Sequence, residues 1–137
     1  MADRPEVPAP ILATLRALCL ALPEAYEEQA WVGTRWMIRK KNFAHVLHID
    51  SGWPPAYVRA AGSDGPLTIM TFRSSGPELE ALSRAGRPFF KPVWWTDIVG
   101  LVLEDRTDWE EVGELVTESY CALAPKKLAE QVPRPDR

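Results

Sequence analysis

The stretch Thr34–Asp50, "TRWMIRKKNFAHVLHID", carries the strongest fold signal in the chain. Trp36 and Ile38 lie on one side of a short polar link, and Phe43, Val46 or Leu47, and Ile49 lie on the other. Apolar alternation of this kind belongs to strands, because successive side chains leave opposite faces of a pleated backbone. The link "KN", Lys41-Asn42, is polar, and Asn tolerates turn geometry, so the two runs read as a β-hairpin.

Further strands lie on either side. The middle of "LPEAYEEQAWV", Leu22–Val32, reads as a short extended segment. "LTIMTF", Leu67–Phe72, is β-branched and apolar, and "DIVGLVLE", Asp97–Glu104, is a second such run. Between them and the hairpin, Ser51–Pro66 is rich in Gly and Pro and reads as a loop, with a short strand near Tyr57–Ala60. Ile11, Leu12, Leu15, Leu18, Cys19 and Leu22 recur at helical spacing and place a helix over Pro10–Leu22, ended by Pro23. A short helix is expected over Pro77–Arg84, with Gly86 as its stop. The clearest helix follows Thr107: Trp109, Val112, Val116, Tyr120 and Leu123 form one stripe, and Glu110, Glu111, Glu114 and Glu118 lie off it. Thr107 and Glu110 match a capping box. Strands come in succession rather than alternating with helices. The expected architecture is therefore an α+β two-layer sandwich, a largely antiparallel sheet with helices on one face.

A chain of 137 residues with 46% hydrophobic and 26% charged residues fits one globular domain, placed at residues 10–131 between flexible ends at 1–9 and 132–137. The formal net charge of -3 argues against binding nucleic acid by bulk charge, while leaving room for a local basic face. Cys19 and Cys121 sit in apolar helical patterns and read as free thiols. "MADRPEVPAP" lacks the pattern of a secretory signal, and no apolar run approaches the ~20 residues that span a bilayer, so a cytoplasmic protein without membrane contact is expected.

No nucleophile, acid and base are grouped in the sequence, and no metal or cofactor motif is present, so a non-enzymatic protein without cofactor is expected. His45 and His48 are three apart in one strand and point to opposite faces, which prevents joint metal ligation. A basic cluster is more informative. Arg35, Arg39, Lys40 and Lys41 have no acid between them, and Trp36 and Phe43 lie close by. Cations at a hairpin tip can contact phosphates; they also keep strand edges soluble. Arg73, Arg87 and Lys91 extend this patch if the fold brings them near. In "RPFFKPVWWTD", Arg87–Asp97, Phe89 and Phe90 should alternate faces, as should Trp94 and Trp95. One ring of each pair would then close the core and the other would face outward, for stacking or cation–π contact.

Two longer stretches resemble a known family. A helix ending in "CLALPEAYEE" followed by "WVGTRWMIRKKNFAHV" resembles the start of MmcQ/YjbR-type domains, and "GRPFFKPVWWTDIVGLVLEDRTDWEEVGELVTESYCALAPKKLAEQV" resembles their C-terminal half. The resemblance implies a compact domain likened to secretion chaperones, with two helices against an antiparallel sheet. It also implies DNA binding by a two-winged surface. Carried onto this chain, that surface consists of Arg35, Arg39, Lys40, Lys41, Arg87 and Lys91, with Trp95 as a stacking residue. The alternatives are a chaperone-like protein partner or a small anionic ligand on the aromatic patch, in a monomer or homodimer.

Overall fold

A computed structural model describes residues 5–134. The expectation of flexible ends at 1–9 and 132–137 falls in part outside those residues. In chain order the elements are α1 (Ala9–Leu20), β1 (Tyr26–Gln29), β2 (Thr34–Ile38), β3 (Lys41–Ile49), α2 (Pro55–Ala61), β4 (Leu67–Arg73), α3 (Gly76–Ala85), β5 (Phe89–Phe90), β6 (Ile98–Leu103), α4 (Trp109–Leu123) and α5 (Lys126–Ala129). The six strands form one sheet in the order β1-β2-β3-β4-β6-β5, and all neighbours are antiparallel. The α+β architecture follows from this, as the run of consecutive strands requires.

The main core lies between the sheet and α1, α3, α4 and α5. Trp36, Val46, Met70, Phe72, Val99 and Leu101 from the strands meet Leu15, Cys19, Val112, Val116 and Tyr120 from the helices, with Leu79 and Leu82 of α3 at its edge. Trp36 is fully buried, and its indole N–H donates to Glu27 Oε1 at 2.9 Å. Arg16 of α1 holds both oxygens of the same carboxylate. One charged group thus satisfies a buried donor and ties α1 to β1 and β2.

The hairpin differs in detail from its sequence reading. Ile38 pairs with Lys41, so the two-residue turn is Arg39-Lys40 rather than Lys41-Asn42. Both turn residues have positive φ, 50° and 67°, as a type I′ turn demands. The register then slips: Met37 faces Asn42 but Trp36 faces Ala44, leaving Phe43 as a bulge. The bulge lets Phe43 and Ala44 both enter the main core, where Phe43 meets the edge of Tyr120 at 5.5 Å.

Ser51–Pro66 is the larger correction. The segment around Tyr57 is the helix α2, not a strand. Pro54-Pro55 supplies a start with preset φ, and Gly62 ends the helix at φ 72°. Tyr57, Val58 and Ala61 pack with Leu47, Ile49, Ile69 and Val102 on the second face of the sheet. The other helices gather on one face as expected, while α2 shields a smaller apolar patch on the opposite side.

The start of α4 is capped by Asp108, whose Oδ1 accepts from the backbone N–H groups of Glu110 and Glu111. Thr107 instead accepts from Glu104 N–H at 2.7 Å and closes the turn after β6. The capping box read at Thr107/Glu110 does not form; the N-cap lies one residue later, at Asp108, because an Asp beside the helix start is the stronger acceptor there. Among the described residues no helix is long and apolar enough to cross a membrane.

Candidate nucleic-acid interface

Two loops leave the sheet at the same end. One is the Arg39-Lys40 tip between β2 and β3. The other is the segment 91–97 between β5 and β6. Register fixes this placement: Arg73 faces Ile98, Phe72 faces both Val99 and Ala44, and Phe90 faces Gly100. Residues after Phe90 therefore run toward the hairpin tip. Only β4 separates β3 from β6, which puts those two strands about 10 Å apart.

Arg73 links the two loops. Its Nε donates to the carbonyl of Asn42 at 3.3 Å, and its Nη1 meets Asp97 Oδ2 at 3.0 Å. Its own backbone N–H donates to Ser119 Oγ, which in turn donates to the Phe43 carbonyl at 2.6 Å. The end of β4 is thereby fixed to the hairpin, to the second loop and to α4.

The expected cations are in different states. Arg35 pairs with Glu28 at 2.7 Å across β1 and β2, and Arg39 pairs with Glu24 at 2.9 Å. Lys91 donates to the carbonyls of Pro92 and Trp95, so its ammonium closes its own loop. Arg87 sits at the far end of the sheet, 3.5 Å from Glu104. Lys40 and Lys41 are exposed and form no ion pair among the described residues. The structure thus brings Arg39, Lys40, Lys41, Lys91 and Trp95 to one end, with Arg35 three residues back along β2 from the last pair before the turn, and leaves Arg87 apart.

The aromatic stretch splits as well. Phe89 packs into the main core and Phe90 onto the second face, the alternation that a strand requires. Phe90 covers Gly100: a Cβ there would meet the ring at 2.2 Å, which makes glycine necessary at that position. Trp94 and Trp95 do not alternate between core and solvent. They lie outside any strand, 37% and 48% exposed, in edge contact with each other at 5.6 Å. The strand-based expectation fails because β5 ends at Phe90. Trp94 also meets the Tyr57 ring at 5.5 Å, and Tyr57 lies 6.1 Å from the buried His45 ring. His45 Nε2–H donates to the Val32 carbonyl at 2.7 Å. Burial foremost, and then the charge of Arg35, hold the His45 pKa below its ordinary value, while the Val32 bond opposes them. His48 is on the opposite face, bonded to Thr68 at 2.8 Å.

Sequence reasoning missed Tyr57 and Val93. Tyr57 was hidden by the reading of its segment as loop. Val93, 94% exposed at the apex of the second loop, was signalled only by an apolar residue standing between Pro92 and two tryptophans.

The sequence matches a described family. The YjbR family profile matches residues 20–122. The chain belongs to the YjbR family. This YjbR domain is similar in fold to a Pseudomonas syringae protein of known structure, with a TM-score of 0.58 and 10% identity over 80% of this chain and 93% of that one. It is also similar to a Deinococcus radiodurans protein carrying the DUF419 domain, with a TM-score of 0.60 and 17% identity over 91% and 89% of the two chains. No curated protein matches the sequence.

Proposed function

We propose that this YjbR domain is a non-enzymatic module that binds nucleic acid, DNA foremost, at the sheet end bearing the two loops. The observation that carries the reading is a pairing of chemistries: unpaired Lys40 and Lys41 on one tip, half-exposed Trp94 and Trp95 on its neighbour. Lysines contact phosphates, and an exposed indole stacks on an unpaired base. The face of a ring is accessible only on a base outside a duplex, so single strands are the favoured ligand. With two free lysines and a net charge of -3, binding should be weak at physiological salt and strongly salt-dependent. Arg87 takes no part. The test is fluorescence anisotropy of a labelled single strand against the matching duplex across a salt series, with the wild type and Lys40→Glu/Lys41→Glu.

A second reading rests on Val93, whose near-complete exposure adds an aliphatic side chain to the apolar surface of two half-exposed tryptophans in the same loop. It makes the same loop an apolar contact for a protein partner, with an affinity that salt leaves unchanged. Val93→Ser would abolish that contact and leave nucleic-acid binding intact.

A further inference from the structure

On the helical layer, α1 and α4 leave an apolar groove of about 640 Å³ between their outer surfaces. Ala17, Leu18, Ala21 and Leu22 line one wall and Trp109 and Gly113 the other. The wall of α1 has no charge of its own to offer. Ala13, Ala17, Leu20 and Ala21 face solvent, and Arg16, the lone charged residue of that helix, is held by Glu27.

The rim of α4 has the opposite character. Glu110, Glu114 and Glu118 line the groove at successive four-residue steps, one above another on a single helix face. Like charges at this spacing repel, and a cation placed beside them relieves the repulsion. The chain supplies one such cation itself. Arg134 holds the Glu118 carboxylate through two nitrogens, while Val132 and Pro133, just before it, line the end of the groove. Glu110 and Glu114 have no cationic partner among the described residues. The tail thus displays, over one turn of α4, the chemistry that fits this surface: an apolar residue at the end of the groove and a guanidinium on the carboxylate row.

We propose that the rest of the groove docks a basic amphipathic helix from a partner protein, with its apolar side on Ala17, Leu18, Ala21 and Gly113 and its Lys or Arg residues on Glu110 and Glu114. Helix-in-groove recognition uses this division between apolar anchors and flanking charge. A second copy of the chain is a poor occupant. Its described cationic helix, α5, is four residues long and cannot present an apolar stripe. The proposal is independent of the nucleic-acid reading, since the groove lies on the helical layer and not on the loops.

The test is anisotropy of a fluorescein-labelled Leu/Lys peptide of helical period. Controls are the same composition scrambled, and a Leu/Glu peptide of the same pattern. Gly113→Leu is the decisive variant. A Cβ at Gly113 would stand 3.5 Å from Leu18, an ordinary contact, so a leucine there fills the groove while raising helix propensity. The expected result is micromolar binding of the Leu/Lys peptide alone. It should weaken about tenfold or more in Gly113→Leu and in Glu110→Lys/Glu114→Lys, and stay unchanged in Trp95→Ala. Equal binding of the scrambled or Leu/Glu peptide, or unaltered affinity in Gly113→Leu, would overturn the proposal. So would a dimer in sedimentation that Gly113→Leu dissolves, since that assigns the groove to a second copy.

Discussion

The Arg73 guanidinium meets the Asp97 carboxylate at 3.0 Å while its Nε donates to the Asn42 carbonyl, so one side chain spans the β2–β3 tip and the 91–97 loop. The pair is only partly buried, with side-chain exposures of 29% and 48%. Its effect should therefore fall on geometry more than on stability. Asp97→Asn is expected to cost less than about 1 kcal/mol in urea unfolding. Arg73→Met, which frees both loops, should weaken single-strand binding severalfold with the fold intact by circular dichroism. Unchanged affinity would mean that the loops act separately.

The Arg39-Lys40 turn is occupied by the wrong residues for its conformation. Type I′ turns favour Asn-Gly, whereas Arg and Lys at φ 50° and 67° are strained by about 1 kcal/mol or more each. Replacing them by Asn-Gly, Arg39→Asn/Lys40→Gly, should stabilise the domain by about 1 to 2 kcal/mol and reduce affinity for nucleic acid. Strain kept at a surface tip is understandable if the side chains serve a ligand. A substitution that stabilises the domain without loss of binding would remove that rationale.

Glycine positions give a sharper test of the packing. A Cβ at Gly33 would lie 1.9 Å from the Val46 carbonyl oxygen, and its φ is 76°. At Gly62 the φ is similar, but nothing lies within 4 Å. Gly33→Ala should therefore cost several kcal/mol, and Gly62→Ala about 1 kcal/mol, in chemical denaturation.

Two titrating groups make stability fall on the acid side, each below its own ordinary pKa. The Arg16 hydrogen bond, above all, holds the Glu27 pKa below the usual carboxylate range, with the Trp36 N–H and the Arg16 charge adding to it against burial. A carboxylate with a lowered folded pKa stabilises above its unfolded pKa and loses that contribution as pH falls through the folded value. Glu27→Gln should thus cost about 1 kcal/mol near neutrality and progressively less as pH falls below the usual carboxylate range. His45, buried and neutral, acts higher. Its folded pKa is lowered, so its contribution is complete above about 6.5 and is lost as pH falls below that. His45→Gln should flatten the decline of melting temperature that begins as pH falls below about 6.5, relative to wild type.

The sequence made the sheet legible because alternation in Thr34–Asp50 and the apolar runs at Leu67 and Ile98 are period signals that tertiary packing rarely reverses. It misplaced the turn because the tip is a Lys/Arg pair in a conformation that composition assigns to Asn, and the Phe43 bulge hid the slip. It missed α2 because Pro54-Pro55 and Gly62 punctuate so densely that seven helical residues between them look like loop. The candidate site was half legible. Lys40, Lys41 and Trp95 could be named from local clustering. That Arg87 lies at the far end, and that Arg35 and Arg39 are spent on Glu28 and Glu24, depends on register and pairing between distant segments.

The most direct test of nucleic-acid binding at the two loops is the salt dependence of anisotropy for a labelled single strand, measured on wild type, Lys40→Glu/Lys41→Glu and Trp95→Ala. The expected result is a steep log–log slope for wild type. It should be shallower by about 1.4 in the double variant, which loses two phosphate contacts. Trp95→Ala should lose about 1 to 3 kcal/mol of affinity with its slope unchanged. Absence of wild-type binding at low salt, or binding that both variants leave untouched, would contradict it.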